Sequence, residues 1–412
     1  MTKRILLISQ WFDPEPAVKG LLFAKELVHR GFDVEVITGF PNYPGGKLYD
    51  GYRIKLIQKE IIEGVLVTRV PLFPSHNKSK LGRITNYLSF GFSSLVYGLI
   101  FAKRPDVIYG YHPPITVGIS ASIIKLFRRV PVVLDIQDMW PDTLKATGMI
   151  SNLRLLGFVS RLCNLIYLSV TKIVVLSPGF KKLLTDRGVP DAKIKIIYNW
   201  ADEKVIRNPI IEEPSKLVDI KGFKKGFKIL FAGNIGQAQG LEVILKAAHI
   251  LRDNIQKPQF LILGQGLKLN HIKRKAEELN LNNVHFLHAV SMDKVGAFLD
   301  AADALLIHLK HDPLFKITIP GKTQAYMAAG KPIIMGVSGD ASNLVSQADC
   351  GVCFEPENSA ALAEATNSLM LLPPNDIKRL GENAKKFYNE NLSVKIGVDS
   401  FVKIFNEVIY KV

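Results

Sequence analysis

The chain has 412 residues and a formal net charge of +16 at pH 7, too long for one ordinary core and suited to two domains of roughly 200 residues each. Its hydrophobic share of 48% and charged share of 22% exclude a disordered or fibrous chain. Residues 1–200 hold 27 Lys and Arg against 14 Asp and Glu, whereas residues 201–412 hold 26 against 23, so the excess charge belongs to the front half. That asymmetry calls for an anionic partner. No zinc finger, RNA-binding aromatic signature or basic heptad helix accompanies it, which sets nucleic acid aside and leaves anionic lipid or a lipid diphosphate. Cys163, Cys350 and Cys353 are the three cysteines. Their odd number suits a reducing cytoplasm, and a lone Cys-Gly-Val-Cys is a poor zinc signal.

The first elements alternate strand and helix. Arg4–Ser9 reads as a buried strand rather than a signal peptide, because no long apolar core or cleavage site follows it. The loop Trp11–Pro16 leads into helical spacing over Val18–His29, ended by Gly31, and Val34–Thr38 is the next strand. This is one βαβ unit of a parallel sheet, and its loops at the carboxyl ends of the strands are where such sheets bind ligands. The aromatic loop Phe40–Gly46 lies on that side and reads either as a packed surface loop or as a ligand contact. Val65–Arg69 is a further strand.

From Lys78 to Arg104 the pattern changes. Nineteen uncharged residues lie between Arg83 and Lys103, with Tyr87, Phe90, Phe92, Leu95, Tyr97, Leu99 and Phe101 among them. The length approaches a membrane span, but Thr85, Asn86, Ser89, Ser93 and Ser94 lower its hydropathy. Span, surface-lying helix and buried helix all remain open readings; basic ends and aromatics favour the surface-lying one. Met149–Val170, interrupted by Arg154 and Arg161, behaves similarly.

Asp106–Tyr109 is a strand, and His112 follows near its carboxyl end, a position that faces a ligand in doubly wound sheets. Val132–Ile136 is a buried strand followed by Gln137-Asp138-Met139-Trp140-Pro141-Asp142. The Asp-x-Trp-Pro form of Asp138–Pro141 resembles a signature of a glycosyltransferase subgroup, which implies that Asp138 binds an acceptor hydroxyl or acts as a base and that Trp140 stacks on a sugar; the other reading is an acidic helix cap beside a buried tryptophan. Ile173–Leu176 and Ile194–Ile197 complete the front half. The charged run 202–226 is a linker.

Phe227–Ala232 opens a second sheet, and Gly233, Asn234, Gly236 and Gln239 belong to a glycine-rich turn into a helix, where backbone N–H groups can approach a phosphate. After the strand Phe260–Leu263, Gly264 and Gly266 form another close-approach turn; the strand Val284–Leu287 ends at His288. Ala304–Ile307 precedes the stretch Asp312–Met335 and Ile333–Gly336 closes it. Pro320-Gly321 breaks the chain, Lys322–Ala329 are good helix formers, and Gly330 ends the helix. Its first turn offers free N–H groups and a positive dipole end to an anion. Lys322 adds a charge there, Thr323 follows, and the Gln324 amide is suited to hydroxyls. Helices from Ala360 and Asp376 follow, and Ser393–Val412 has apolar residues at helical spacing.

The form Pro-x-Lys-x-Gln-Ala-Tyr-Met-Ala-x-Gly-Lys-Pro, Pro320–Pro332 here, resembles the donor-binding helix of retaining glycosyltransferases of family four. It is most similar to a subgroup of O-antigen and capsule assembly that includes proposed N-acetylfucosamine transferases. The family's two glutamates, eight positions apart, are replaced by Lys316 and Gln324, and its usual Arg and Lys near Asn234 and Gln239 are missing. The resemblance implies an α/β protein of GT-B fold: two Rossmann-like domains (1–201 for the acceptor, 227–390 for the nucleotide sugar), a cleft between them, and a segment 391–412 crossing back to the first. It implies that Lys322, backbone amides and Lys316 meet the diphosphate, that His288 lies near base or ribose, and that His112 lies near the transferred sugar. The expected donor is a UDP-sugar, the acceptor a polyprenyl-diphosphate-linked saccharide at the cytoplasmic face of the inner membrane. With no Asp-x-Asp in the chain, neither metal nor other cofactor is expected. A GT-B sugar-nucleotide epimerase and a non-catalytic sugar-binding scaffold are the rival readings.

Overall fold

The computed structural model describes residues 2–75, 80–146, 148–207 and 226–410. Most of the expected linker, residues 208–225, lies outside them, as does Lys78 at the start of the 78–104 segment. The chain divides into two compact units, Met1–Tyr198 with Gly397–Val412, and Asn199–Ile396.

The first unit is built on an eight-stranded sheet. Its strands are β1 (Arg4–Ile8), β2 (Asp33–Gly39), β3 (Gln58–Ile62), β4 (Val65–Val70), β5 (Val107–His112), β6 (Val132–Ile136), β7 (Lys172–Val175) and β8 (Ile194–Ile196). The spatial order is β3-β4-β2-β1-β5-β6-β7-β8. All neighbours pair in parallel except β3 with β4. Helices cover both faces, so central strands are apolar throughout: Ile5, Leu6, Leu7 and Ile8 are all fully buried. β5 runs three residues beyond the expected Tyr109, which makes His112 the buried last residue of the strand rather than part of the loop after it. β3 was not foreseen. It is an edge strand of mostly polar residues, returned to β4 by a turn with Glu63 and Gly64 at positive φ (+46° and +85°).

The helix Val394–Tyr410 supplies core to this first unit. Phe401 lies 5.0 Å from the Phe23 ring and 5.7 Å from Tyr109, ring centre to ring centre. Arg30 to Asp399 (2.8 Å) and Lys172 to Glu407 (3.0 Å) pin its polar side. Among the described residues no helix is long and apolar enough to cross a membrane. The segment read as span or surface element is a 21-residue helix, Lys80–Ile100. Tyr87, Phe90 and Tyr97 are buried, whereas Leu81, Ile84, Leu88 and Phe92 are exposed.

The second unit carries six parallel strands: β9 (Lys228–Ala232), β10 (Gln259–Leu263), β11 (Val284–Leu287), β12 (Ala304–His308), β13 (Ile333–Gly336) and β14 (Gly351–Cys353). Their order is β11-β10-β9-β12-β13-β14, the doubly wound arrangement, with its switch point between β9 and β12. Leu230 on β9 pairs with Leu261 on one side and Leu305 on the other. A crevice outside the carboxyl ends of these strands is therefore the place where this sheet can take a ligand.

Candidate functional site

At that place in the second unit lies a cavity of about 450 Å³ lined by Gly233, Asn234, Gly264, Lys322, Ala289 and Val290, among others. Two glycines make it possible. Gly233 has φ +138°, and a Cβ there would stand 2.6 Å from Lys322 Cε; Gly264 has φ +148°, and a Cβ there would overlap the Gly233 carbonyl oxygen. The turns are tied by backbone bonds from Gly233 N to Leu263 O (2.9 Å) and Ile235 N to Gln265 O (2.8 Å). Gly266 continues the second turn, packed so closely on Ile235 O that no side chain fits.

The helix Gly321–Ala329 points its first turn at these glycines. Pro320 precedes it without any side-chain cap, so its first N–H groups have no cap of that kind. Tyr326 fixes the helix against β9: its hydroxyl accepts from Ala232 N at 2.9 Å. Lys322 lies one residue into the helix, its Nζ 3.4 Å from the centre of the Phe231 ring. That Nζ is buried and has no hydrogen-bond partner, and burial pulls its pKa from 10.5 to about 7. An amine held this way is poorly solvated as a cation, and an anion beside it would restore its charge.

The other expected donor residues divide into three groups. Thr323 is fully buried behind Lys322 with no partner for its hydroxyl. Gln324 is buried, and its amide nitrogen in the satisfied orientation donates to Pro320 O (3.1 Å) and Gly321 O (3.2 Å). Gln239 takes an internal role, its Oε1 accepting from Gly236 N at 3.0 Å. His288 and Lys316 are exposed and do not line the cavity. One residue escaped the sequence reading. His308, buried at the end of β12, accepts from Glu357 N at Nε2 (2.9 Å) and donates from Nδ1 to Gln239 O (2.7 Å), so it holds the glycine-rich turn in place as a neutral ring.

In the first unit, His112 and Asp138 come from neighbouring strand ends, joined by Gln137 N to His112 O at 2.7 Å. His112 is wholly buried, and neither ring nitrogen has a partner. Its ring lies 5.7 Å from Trp140 and 6.1 Å from Tyr167. Burial drives its pKa down to about 3, so the ring is neutral. Asp138 is exposed and has no side-chain hydrogen bond among the described residues. The protein around it still thins its hydration enough to raise its carboxyl above the ordinary range. The acid at the start of the next helix is Asp142, which pairs with Arg187 at 2.6 Å.

Two buried acids missed by the sequence reading organise the loops here. Asp135 on β6 accepts from Lys19 Nζ (2.6 Å), Tyr109 Oη (2.6 Å) and Gln137 Nε2 (2.7 Å), and both Lys19 and Asp135 are fully buried. Glu15 accepts from the N–H groups of Asn42 and Tyr43, both at 2.7 Å. Desolvation outweighs those bonds and lifts its pKa to about 7.

Comparison with known proteins fits this geometry. Residues 21–200 match the family model described as glycosyl transferase 4-like domain. Residues 215–387 match the one described as glycosyl transferases group 1. The chain is 27% identical over 362 residues to the putative colanic acid biosynthesis glycosyl transferase WcaI of Escherichia coli K12, covering 84% of this chain and 86% of that one. It is 25% identical over 339 residues to the probable glycosyltransferase WbjE of Pseudomonas aeruginosa, covering 80% and 82%. HepE of Anabaena, solved in complex with UDP and glucose, superposes with a TM-score of 0.70 at 16% identity over 98% of this chain and 100% of its own. With both units matched, the chain is a two-domain protein of the glycosyltransferase families, with the GT-B fold.

Proposed function

We propose that the protein is a retaining, metal-independent glycosyltransferase that moves a sugar from a UDP-sugar to a polyprenyl-diphosphate-linked saccharide during surface-polysaccharide assembly. We further read the sugar as an N-acetylated amino or deoxyamino sugar, and the product as O-antigen or capsule. The observation that carries the reading is the buried, unpartnered Lys322 ammonium at the start of the helix Gly321–Ala329, facing the glycine turns of β9 and β10. A diphosphate there would meet the helix N–H groups, the dipole and Lys322 together. Charge that grows on the departing nucleoside diphosphate would be stabilised by groups already in place. The HepE complex with UDP and the colanic acid name of the E. coli relative support this donor and this pathway class. Exposed Lys316 remains our second candidate for phosphate charge, and His288 for the base. Neutral His112 is assigned to the transferred sugar, and Asp138 to the acceptor.

The membrane side of the proposal rests on the first unit. The helices Lys80–Ile100 and Leu153–Ser169 contain no acidic residue. The second exposes Leu153, Phe158, Leu165 and Leu168 beside exposed Arg154 and Arg161. Apolar side chains mixed with cations fit the anionic cytoplasmic face of the inner membrane.

Thermal unfolding with UDP, GDP, ADP and TDP tests the donor assignment. UDP should raise the midpoint selectively. A rise with another nucleotide would replace the donor, and no rise with any would favour a non-catalytic scaffold.

A further inference from the structure

Outside the amino ends of β1, β5 and β6, at the end of the first sheet opposite its ligand-side loops, lies a pocket of about 390 Å³. Lys3, Arg104 and Arg129 bring cations to it, and Val130 and Ile409 give it apolar walls. Asp106 is the one acid among the described residues that line it; it pairs with Lys3 (3.6 Å) and accepts from Arg4 N (2.7 Å). Arg104 and Arg129 are exposed and have no side-chain partner among the described residues.

Helix capping does not account for these two. Arg128, the last residue of the helix Ile115–Arg128, already meets the carbonyls that end the helix Lys80–Ile100: it donates to Leu99 O (2.6 Å) and Ala102 O (2.7 Å). Those bonds also tie the segment before β5 to the segment before β6. Large apolar side chains stand in water on both segments. Ile100 and Phe101 are 67% and 54% exposed, Leu126 and Phe127 74% and 71%. Scattered singly such residues need no explanation, but here two adjacent pairs each end two or three residues short of an unpartnered arginine.

We propose that this pocket binds the phosphate of an anionic phospholipid, with Arg104 and Arg129 on the phosphate oxygens and Ile100, Phe101, Leu126 and Phe127 at the level of the acyl chains. A guanidinium offers paired N–H donors that match phosphate oxygens and is less strongly hydrated than an ammonium. A soluble phosphate would have no use for the exposed apolar pairs, whereas a headgroup at a bilayer surface meets both kinds of side chain at once. The site rests on the membrane reading above and deepens it: a headgroup held one-to-one adds to general attraction by charge. Because it lies at the amino ends of the strands, away from the loops assigned to donor and acceptor, the lipid here is a tether for the end of the helix Lys80–Ile100 and not a substrate.

The full chain is titrated calorimetrically with dihexanoyl phosphatidylglycerol, kept below the concentration at which it forms micelles. It should bind at one saturable site. Arg104→Gln with Arg129→Asn should weaken that binding tenfold or more; both residues are exposed, and asparagine tolerates the left-handed backbone at 129 (φ +54°), so the fold is kept. Arg154→Gln with Arg161→Gln removes the same charge from another helix and should leave the monomeric lipid's affinity unchanged. The pocket is refuted if the monomeric lipid does not bind, or if the two double variants weaken it equally. Inorganic phosphate that binds as tightly as the lipid would overturn the lipid as occupant. A chain that sediments with phosphatidylglycerol vesicles yet ignores the monomeric lipid would overturn the pocket and keep the membrane reading; a chain that binds neither would overturn both.

Discussion

Lys322 keeps its charged end against an aromatic face instead of a carboxylate. Without a ligand its ammonium is disfavoured, so from about pH 7 up to the ordinary lysine value of 10.5 the folded chain binds fewer protons than the unfolded one. Stability from this group therefore rises with pH across that window. A bound diphosphate reverses the preference and restores the proton. UDP binding at pH 8 should accordingly take up protons, seen calorimetrically as a heat that depends on the buffer's ionisation enthalpy. Lys322→Ala should remove that uptake and weaken UDP by about tenfold to a hundredfold, in line with roughly 1.5–3 kcal/mol for a hydrogen bond to a charged group. Unchanged affinity would dismiss the diphosphate assignment. The position of Lys322 was legible because Pro320, Gly321 and Gly330 punctuate the helix. Its environment was not, since Phe231 lies some ninety residues earlier and only packing brings the two together.

At the scale of elements, the strand-to-helix alternation was legible almost throughout, because buried parallel strands read as short apolar runs. Two strands were not: β3 is polar and at an edge, and β14 has only three residues. The loops at the carboxyl ends of the first sheet show the larger gap. Lys19 reaches Asp135 across 116 residues, and Glu15 reaches Asn42 across 27, separations at which no spacing rule operates. Lys19→Met should leave the Asp135 charge buried with only neutral partners, at a cost of about 3–5 kcal/mol. A denaturant midpoint would show it, and Lys19→Met with Asp135→Asn should recover part of the loss. A single mutant as stable as the parent would mean that the pair does not anchor the loop after β1.

For the whole molecule, the uneven charge gains a location. The helices Lys80–Ile100 and Leu153–Ser169 join exposed leucines and phenylalanines to cations in one unit. Each such side chain removed from water would contribute about 1.5–3 kcal/mol, enough for a few to hold the protein on a surface. Replacing Lys103, Arg104, Arg154 and Arg161 by Ser should release it from vesicles containing phosphatidylglycerol, and salt should weaken the parent's binding. Sedimentation with the vesicles measures both. Binding that survives the four substitutions and high salt would dismiss the electrostatic part of the docking.

The first unit draws its core from segments on either side of the second in sequence, with Phe401 against Phe23 and Tyr109. During synthesis, that unit waits for nearly two hundred intervening residues, Asn199–Ile396, before its last helix emerges. At about 5–20 residues per second the delay is on the order of 10–40 s. Throughout it, the nascent chain presents an uncovered apolar groove flanked by Arg30 and Lys172, which still lack Asp399 and Glu407, a natural station for a ribosome-associated chaperone. A stop codon just before Val394 would leave the second unit's sheet whole and the first one unsealed.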